Sequence, residues 1–303
     1  MKIAYFYRLD KFGTHERFVE EGKKLGVEIV PIKYNKLRLQ DGKVFYQGVD
    51  LAEFDLWYFR SVGSELEWSK LLQLYARKLG KVVVDEYLAT EGPLRRFKSV
   101  MGWQLDAARV HYPKWVMLPS LKAIEKELER WKYPVIVKLS QGGRHGMGTF
   151  LIKSADSLKE LRELQELRKQ QAITEKRDMR PWRDLLLQEF VPNDGDYRVY
   201  VVGYKLVAGF KRQMKEDKLV LNKSVGKSIG LPVVPKAVVE AAEAAARAVE
   251  VEVAGIDLVQ DSRDGKVYIV EVNEAPEFKV MEKRTGVNIP GEIIKYLISK
   301  ANK

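Results

Sequence analysis

Short apolar runs and helical periodicities alternate along the first 90 residues. Apolar strands are predicted over 2–7, 27–31, 54–59 and 82–84, and amphipathic helices over 15–25, with Thr14 as cap, and over 64–79. Gln40-Asp41-Gly42 divides two short apolar stretches, 37–39 and 43–46, as a hairpin turn does. Strand–helix alternation of this kind predicts an open α/β unit over 1–90. A second unit is expected over 91–186. It has a helix over 95–108, strands over 115–118, 134–138, 149–152 and 185–190, a helix from Ser120 to about 130, and another from Ser154 or Asp156 toward 170. Residues 171–184 are polar, contain Pro181, and read as a loop. A third unit is expected over 187–303. Strands 197–202 and 205–212 flank Gly203-Tyr204, an irregular basic loop covers 213–232, and a helix follows over 236–249. Two strands then meet across Asp264-Gly265, and a last helix starts at Pro290. The fold class is therefore α/β.

Composition removes several chemistries. Cysteine is absent from all 303 residues, which excludes disulfides, thiolate zinc sites and cysteine nucleophiles. The three histidines, His15, His111 and His145, lie far apart and make no metal spacing. Chemistry must rest on carboxylates, Lys, Arg and backbone N–H groups. No apolar run approaches the roughly 20 residues of a membrane span, and the N-terminal apolar run reads as a strand, so a cytoplasmic setting without a membrane partner is expected. The net charge of +11 favours acidic partners such as nucleotides, an acidic protein tail or an anionic small molecule. No zinc finger or RNA-binding signature accompanies it, which argues against nucleic acid.

The strand Val267-Tyr268-Ile269-Val270-Glu271-Val272-Asn273 presents Glu271 and Asn273 on one face, because strand side chains alternate. The preceding strand offers Asp257. Two carboxylates and an amide oxygen suit Mg²⁺ carrying a nucleoside triphosphate, although one solvated face of an edge strand would read the same way. Between strands 134–138 and 149–152 lies a glycine-rich loop containing Gly143, Gly146 and Gly148, with Lys138 at its start. Glycines let the backbone approach phosphates, and they also make mobile turns. Lys98 is a second phosphate candidate, or a plain surface lysine. The strand end Gln188-Glu189-Phe190-Val191 offers backbone groups to an adenine. Arg60, just after strand 54–59, is a further anion candidate at the mouth of the N-terminal unit.

In this order these residues resemble the ATP-grasp superfamily, in the branch of the ribosomal protein S6 glutamate ligase. Gln188-Glu189-Phe190-Val191, Asp196-Tyr197-Arg198, Ala254-Gly255-Ile256-Asp257 and Glu271-Val272-Asn273-Glu274-Ala275-Pro276 carry the likeness. The resemblance implies an ATP-grasp fold, with two α+β subdomains enclosing the nucleotide, and a carboxylate–amine ligase working through an acylphosphate. It implies ATP and Mg²⁺ as cofactors, with Mn²⁺ as a substitute, and a homodimer or homotetramer as the assembly. Lys98, Lys138, Lys211 and the loop glycines would contact phosphates, Gln188 to Val191 the adenine, and Asp196 the ribose or substrate. Asp257, Glu271 and Asn273 would hold metal, and Arg198, Arg212 and Asn222 would line the γ-phosphate. An amino acid such as glutamate would be added to a protein or small-molecule acceptor. The chain departs from the family's usual pattern at Glu277, after Pro276, where glycine is common. Phosphoryl transfer to a small molecule and non-catalytic nucleotide or nucleic-acid binding are the competing readings.

Overall fold

The computed structural model describes every residue except 9–12, 64, 91–96, 141–147, 175–182, 215–224, 232 and 303. Four short apolar strands, β1 (Lys2–Tyr7), β2 (Glu28–Lys33), β6 (Leu56–Phe59) and β7 (Val82–Val84), form a parallel sheet in the order β2-β1-β6-β7. The chain moves to one side of β1 first and to the other side later. A crevice therefore opens beyond the carboxyl ends of β1 and β6. Helices α1 (Thr14–Lys24) and α2 (Leu66–Leu79) follow β1 and β6. Thr14 is the first helical residue rather than the cap. Gly13 takes that position at φ 62°, a left-handed conformation that glycine adopts freely. The predicted hairpin is present as β3 (Leu37–Gln40) and β4 (Lys43–Tyr46), with β5 (Val49–Asp50) beside them. Asp41 and Gly42 both have positive φ, the signature of a tight two-residue turn.

The short helix α3 (Tyr87–Thr90) and α4 (Lys98–Ala107) lead into an antiparallel sheet. Its strands are β8 (Trp115–Leu118), β9 (Val135–Leu139), β10 (Thr149–Ile152) and β11 (Leu185–Glu189), in the order β10-β9-β11-β8. One face is closed by α5 (Leu121–Glu127) and α6 (Ala155–Thr174), where Val135, Val137, Ile152 and Leu187 meet Ile124 and Leu161. The other face carries Ile136, Lys138, Leu151, Leu186 and Gln188. Ser120 caps α5 by accepting from the Ala123 N–H at 3.3 Å. Helix α6 runs to Thr174, so the first four residues of the predicted 171–184 loop are helical.

The third sheet is antiparallel, in the order β14-β13-β12-β15-β16. It comprises β12 (Gly195–Val202), β13 (Lys205–Met214), β14 (Val225–Gly230), β15 (Val253–Gln260) and β16 (Val267–Asn273). Strand β14 corrects the prediction of an irregular loop over 213–232. Its glycine- and lysine-containing sequence is weakly strand-forming, and it gains its ladder from the open edge of β13. Helix α7 (Lys236–Ala248) lies under this sheet, and α8 (Lys279–Thr285) and α9 (Ile289–Ala301) complete the chain. At seven residues, α8 was too short to show in the sequence pattern. One core joins Phe59 and Trp57 to Val199, Ile256, Ile269 and Ala242. Another joins Tyr5, Phe18 and Tyr58 to Tyr200, Ile293 and Leu297. The parallel sheet and the third sheet thus share buried surface, whereas the middle sheet has its own core.

Glu21 on α1 ties these parts together. Its carboxylate accepts from Lys24 Nζ at 2.7 Å, Asn288 Nδ2 at 2.9 Å and Arg17 Nη1 at 3.0 Å. Lys24 first, then Asn288, lower its pKa from 4.5 to about 2. The folded pKa lies below the unfolded one, so this stabilisation is full above about 4.5 and is lost as the pH falls toward 2. Glu21→Gln should cost about 1–3 kcal/mol in urea unfolding at pH 7, and the difference from the parent should shrink by pH 3.

Candidate active site

Ile269 points into the core, so strict alternation would send Glu271 inward as well. The ladder prevents this. Asp257 pairs with Glu271 while Leu258 pairs with Ile269, which leaves Val270 as an extra residue in β16. Such a bulge re-aims the side chains beyond it. Val272 then packs against the core, and Glu271 and Asn273 face the other way. On β15, Ile256 and Leu258 are core residues, so Asp257 shares the face of Glu271. On β12, Val199 and Val201 are core residues, so Asp196, Arg198 and Tyr200 share it too.

Direct cross-strand neighbours form a charged lattice on that face. Arg198 Nη1 donates to Asp257 Oδ2 at 2.6 Å, and Arg212 Nη2 donates to Asp257 Oδ1 at 3.0 Å. Arg212 Nε also grips both oxygens of Asp196, at 3.0 and 2.9 Å. Asp196 is thus held by Arg212 through both of its oxygens. Burial opposes the Arg212 charge, but Asp257 and Asp196 outweigh it and raise the pKa. From the first turn of α4, Lys98 Nζ lies 3.4 Å from Glu271 Oε1. From the open face of the middle sheet, Lys138 Nζ donates to the Val270 carbonyl at 3.4 Å. Lys138 is 4 % exposed, and burial lowers its pKa to about 8 against the pull of Glu271. Four cations thus meet three carboxylates where the two sheets face each other, a balance that a polyphosphate with its metal can join.

Asp257, Glu271 and Asn273 fit a hard divalent cation. Their donors are all oxygen, and the Asn273 amide N–H is already turned to the Gly255 carbonyl at 3.4 Å, which frees its oxygen. Among the described residues no three His, Cys, Asp or Glu side chains gather as a metal site. Two carboxylates and one amide leave the remaining positions to water and phosphate oxygens, as Mg²⁺ prefers.

Other predicted residues lie elsewhere. Gln188 Nε2 donates to the Pro113 carbonyl at 3.4 Å, and Asn193 Nδ2 donates to the Val191 carbonyl at 2.7 Å. Phe190 borders an open pocket of about 300 Å³ with Tyr133, Pro134, Leu151 and Lys153. The sequence pattern singled out only Phe190 of this group; the pairing of Leu151 with Ile136 is what sets Leu151 on the face of Lys138. Glu189 points away toward Arg263, at 3.5 Å. Lys211 leaves the phosphate face, bonding Asp194 at 2.7 Å and lying over the Tyr197 ring. The Gly148 carbonyl accepts from Leu139 N–H at 2.8 Å and closes the glycine hairpin. Gly143, Gly146 and Asn222 lie outside the described residues.

Gly255 makes room for this lattice. A β-carbon there would stand 2.5 Å from Pro276 Cβ and 3.1 Å from Arg198 Nη2. Gly255→Ala should push Arg198 off Asp257, lower turnover about tenfold or more, and cost about 1–3 kcal/mol in thermal melting.

Lys138 on the middle sheet and Lys98 on α4 stand against a carboxylate–arginine lattice on the third sheet, an arrangement that suits an ATP-dependent ligase of the ATP-grasp fold. Residues 98–297 match the RimK-like ATP-grasp domain, and the chain belongs to that family. It is 27% identical to a probable alpha-L-glutamate ligase of Legionella pneumophila (strain Corby) over 314 residues, covering 99% of this chain and 96% of the relative. It is 29% identical to one of Marinobacter nauticus over 309 residues, covering 98% and 95%. Among solved structures it is similar to the ATP-grasp ligase PsnB complexed with minimal precursor, at TM-score 0.72 and 17% identity, with 98% of each chain covered. PsnB has also been captured with minimal precursor, Mg and ADP, where 99% of this chain and 98% of that one superpose at TM-score 0.71 and 17% identity. The protein uses ATP to form an amide bond. No helix among the described residues is long and apolar enough to cross a membrane.

Proposed function

We propose that the chain joins a free amino acid, with glutamate as the first choice, to the carboxylate of an acidic protein tail or anionic small molecule. The carrying observation is the single face on which Asp257, Glu271 and Asn273 oppose Lys98 and Lys138. Lys98 and Lys138 hold the phosphates, and the Phe190 pocket takes the base. Asp257, Glu271 and Asn273 hold Mg²⁺, or Mn²⁺ in its place, which when bound neutralises charge on the phosphates. A carboxylate oxygen of the acceptor attacks the γ-phosphorus, and ADP leaves. Arg198 and Arg212 stabilise the charge that spreads over the transferred group. The amine then attacks the carbonyl carbon of the acylphosphate, phosphate departs with the C–O bond electrons, and the amine proton passes to solvent. No enzyme nucleophile is needed, consistent with a chain without cysteine.

The names of the relatives support glutamate, and the +11 charge supports an acidic acceptor. Dependence on ATP favours the cytoplasm as the setting. Assembly as a homodimer or homotetramer, implied by the family, is checked by light scattering. The substrates are tested by incubating the protein with ATP, Mg²⁺, the twenty L-amino acids and acidic peptides, with ADP and product mass as readouts. ADP release that depends on an amino acid, with a product heavier by one residue, is expected. A phosphorylated product with no amide would overturn the reading.

A further inference from the structure

Arg60 follows β6 at the crevice beyond the carboxyl ends of β1 and β6, and it is 7 % exposed. Its backbone N–H continues the ladder to the Phe6 carbonyl at 2.9 Å. Its Nη2 donates to the Pro276 carbonyl at 2.5 Å, and its Nε is buried without a partner. No carboxylate among the described residues pairs with it. The field of Glu277 reaches it, yet Glu277 Oε1 is engaged by the Lys279 N–H at 2.8 Å. Its other neighbours are the hydroxyl-bearing rings of Tyr5, Tyr58 and Tyr200. A buried guanidinium facing neutral phenols and one carbonyl is costly unless an anion joins it.

The place of this cation narrows what that anion is. A β-carbon built on Gly255 would meet both Pro276 Cβ and the Arg198 guanidinium, so the two flank Gly255, and the Pro276 carbonyl also accepts from the Tyr200 hydroxyl at 3.4 Å. Arg198 and Tyr200 lie two residues apart on the same face of β12. Arg60 thus bonds the residue that flanks Gly255 together with Arg198, the partner of Asp257. An anion on Arg60 lies beside the reaction centre without being in it.

An amino acid that supplies the amine brings a carboxylate of its own. That carboxylate must be held near the site yet kept from the γ-phosphoryl group. We propose that Arg60 anchors the unreacted α-carboxylate of the amino-acid substrate and so aims its amine past Pro276 at the activated carbonyl. This rests on the proposed function, because it assumes a free amino acid as the amine.

The test uses the intact chain with ATP and Mg²⁺, the twenty L-amino acids as probes, acidic peptides as acceptors, and ADP release as the readout. For the probe that stimulates the parent, KM should rise about 30-fold in Arg60→Gln and about tenfold in Arg60→Lys, with the KM for ATP changed less than about twofold. The α-amide of the same amino acid should bind weakly to the parent and lose nothing further in either variant. An unchanged KM for the amino acid would overturn the inference. So would an equal loss for acid and amide, which would make Arg60 only a clamp on Pro276. If Arg60→Gln melts too low to assay, Arg60→Lys decides by the same comparison. A parent that releases ADP with acceptor carboxylates but responds to no amino acid would overturn the amino-acid reading itself, and this inference with it.

Discussion

Asp257→Asn should lower ATP-dependent turnover by about 10³-fold or more while leaving a folded protein. Among the described residues, Asp257 is the one carboxylate that both guanidiniums share, and it lies directly across the ladder from Glu271. Asparagine keeps the volume and one oxygen but removes the charge. Arg198 then loses its carboxylate, and the face holds four cations against only two acids, Asp196 and Glu271. A divalent cation is repelled from such a site, and the γ-phosphoryl group loses the charge neutralisation its transfer requires. Both arginines are partly exposed, so water replaces much of the lost pairing and the fold survives. Steady-state ADP release, alongside circular dichroism, checks this. Retention of more than about a tenth of parental turnover would remove Asp257 from the metal role.

Lys138→Met carries the second large effect, and its signs differ for binding and stability. Burial holds the Lys138 pKa near 8, below the ordinary value of 10.5. Its ammonium predominates below pH 8 and can meet a phosphate there. Losing it should raise the KM for ATP about 100-fold at pH 7, a value in the range for a buried charge-assisted contact. In the parent, ATP affinity should weaken as the pH rises through 8, and in Lys138→Met that dependence should vanish. Stability runs the other way. Between pH 8 and 10.5 the unfolded chain holds the lysine proton and the folded chain does not, so stability rises with pH across that window. Below 8 the charge is buried at a cost on the order of 3 kcal/mol. Without nucleotide, Lys138→Met should therefore be more stable than the parent at pH 7, and the gap should close toward pH 10. Chemical denaturation at the two pH values reads this directly. A protein that gains stability while losing its ligand marks a residue kept for function.

Much of the site was legible because it lies on strands. Period-two alternation placed Asp257 on β15 and Glu271 and Asn273 on β16, and turn residues paired those strands correctly. The bulge at Val270 was not legible. Nothing in Val-Tyr-Ile-Val signals an extra residue, yet that residue turns Glu271 out of the core. The commitment of Asp196 to Arg212 and the departure of Lys211 were hidden for a related reason. Each depends on the register of β12 against β13, which sequence spacing does not specify. The Lys98–Glu271 contact joins residues 173 positions apart and comes from the packing of α4, through Met101 and Leu105, on the core of the third sheet. The helix at 279–285 and the edge strand at 225–230 were missed because short elements draw their stability from tertiary partners. Glu277 departs from the family's pattern, and the structure gives it a local task. Its carboxylate accepts the Lys279 N–H at the start of α8.

Hydroxylamine traps an acylphosphate as a hydroxamate and leaves a phosphoester intact, so it separates amide formation from simple phosphoryl transfer. With ATP, Mg²⁺, an acceptor that supports turnover, and hydroxylamine in place of the amine, one hydroxamate on the acceptor is expected for each ADP released, and neither product with Asp257→Asn. ADP release accompanied by a stable phosphoester and no hydroxamate would contradict an acylphosphate route, and with it the roles of Arg198, Arg212 and Asp257 in that route.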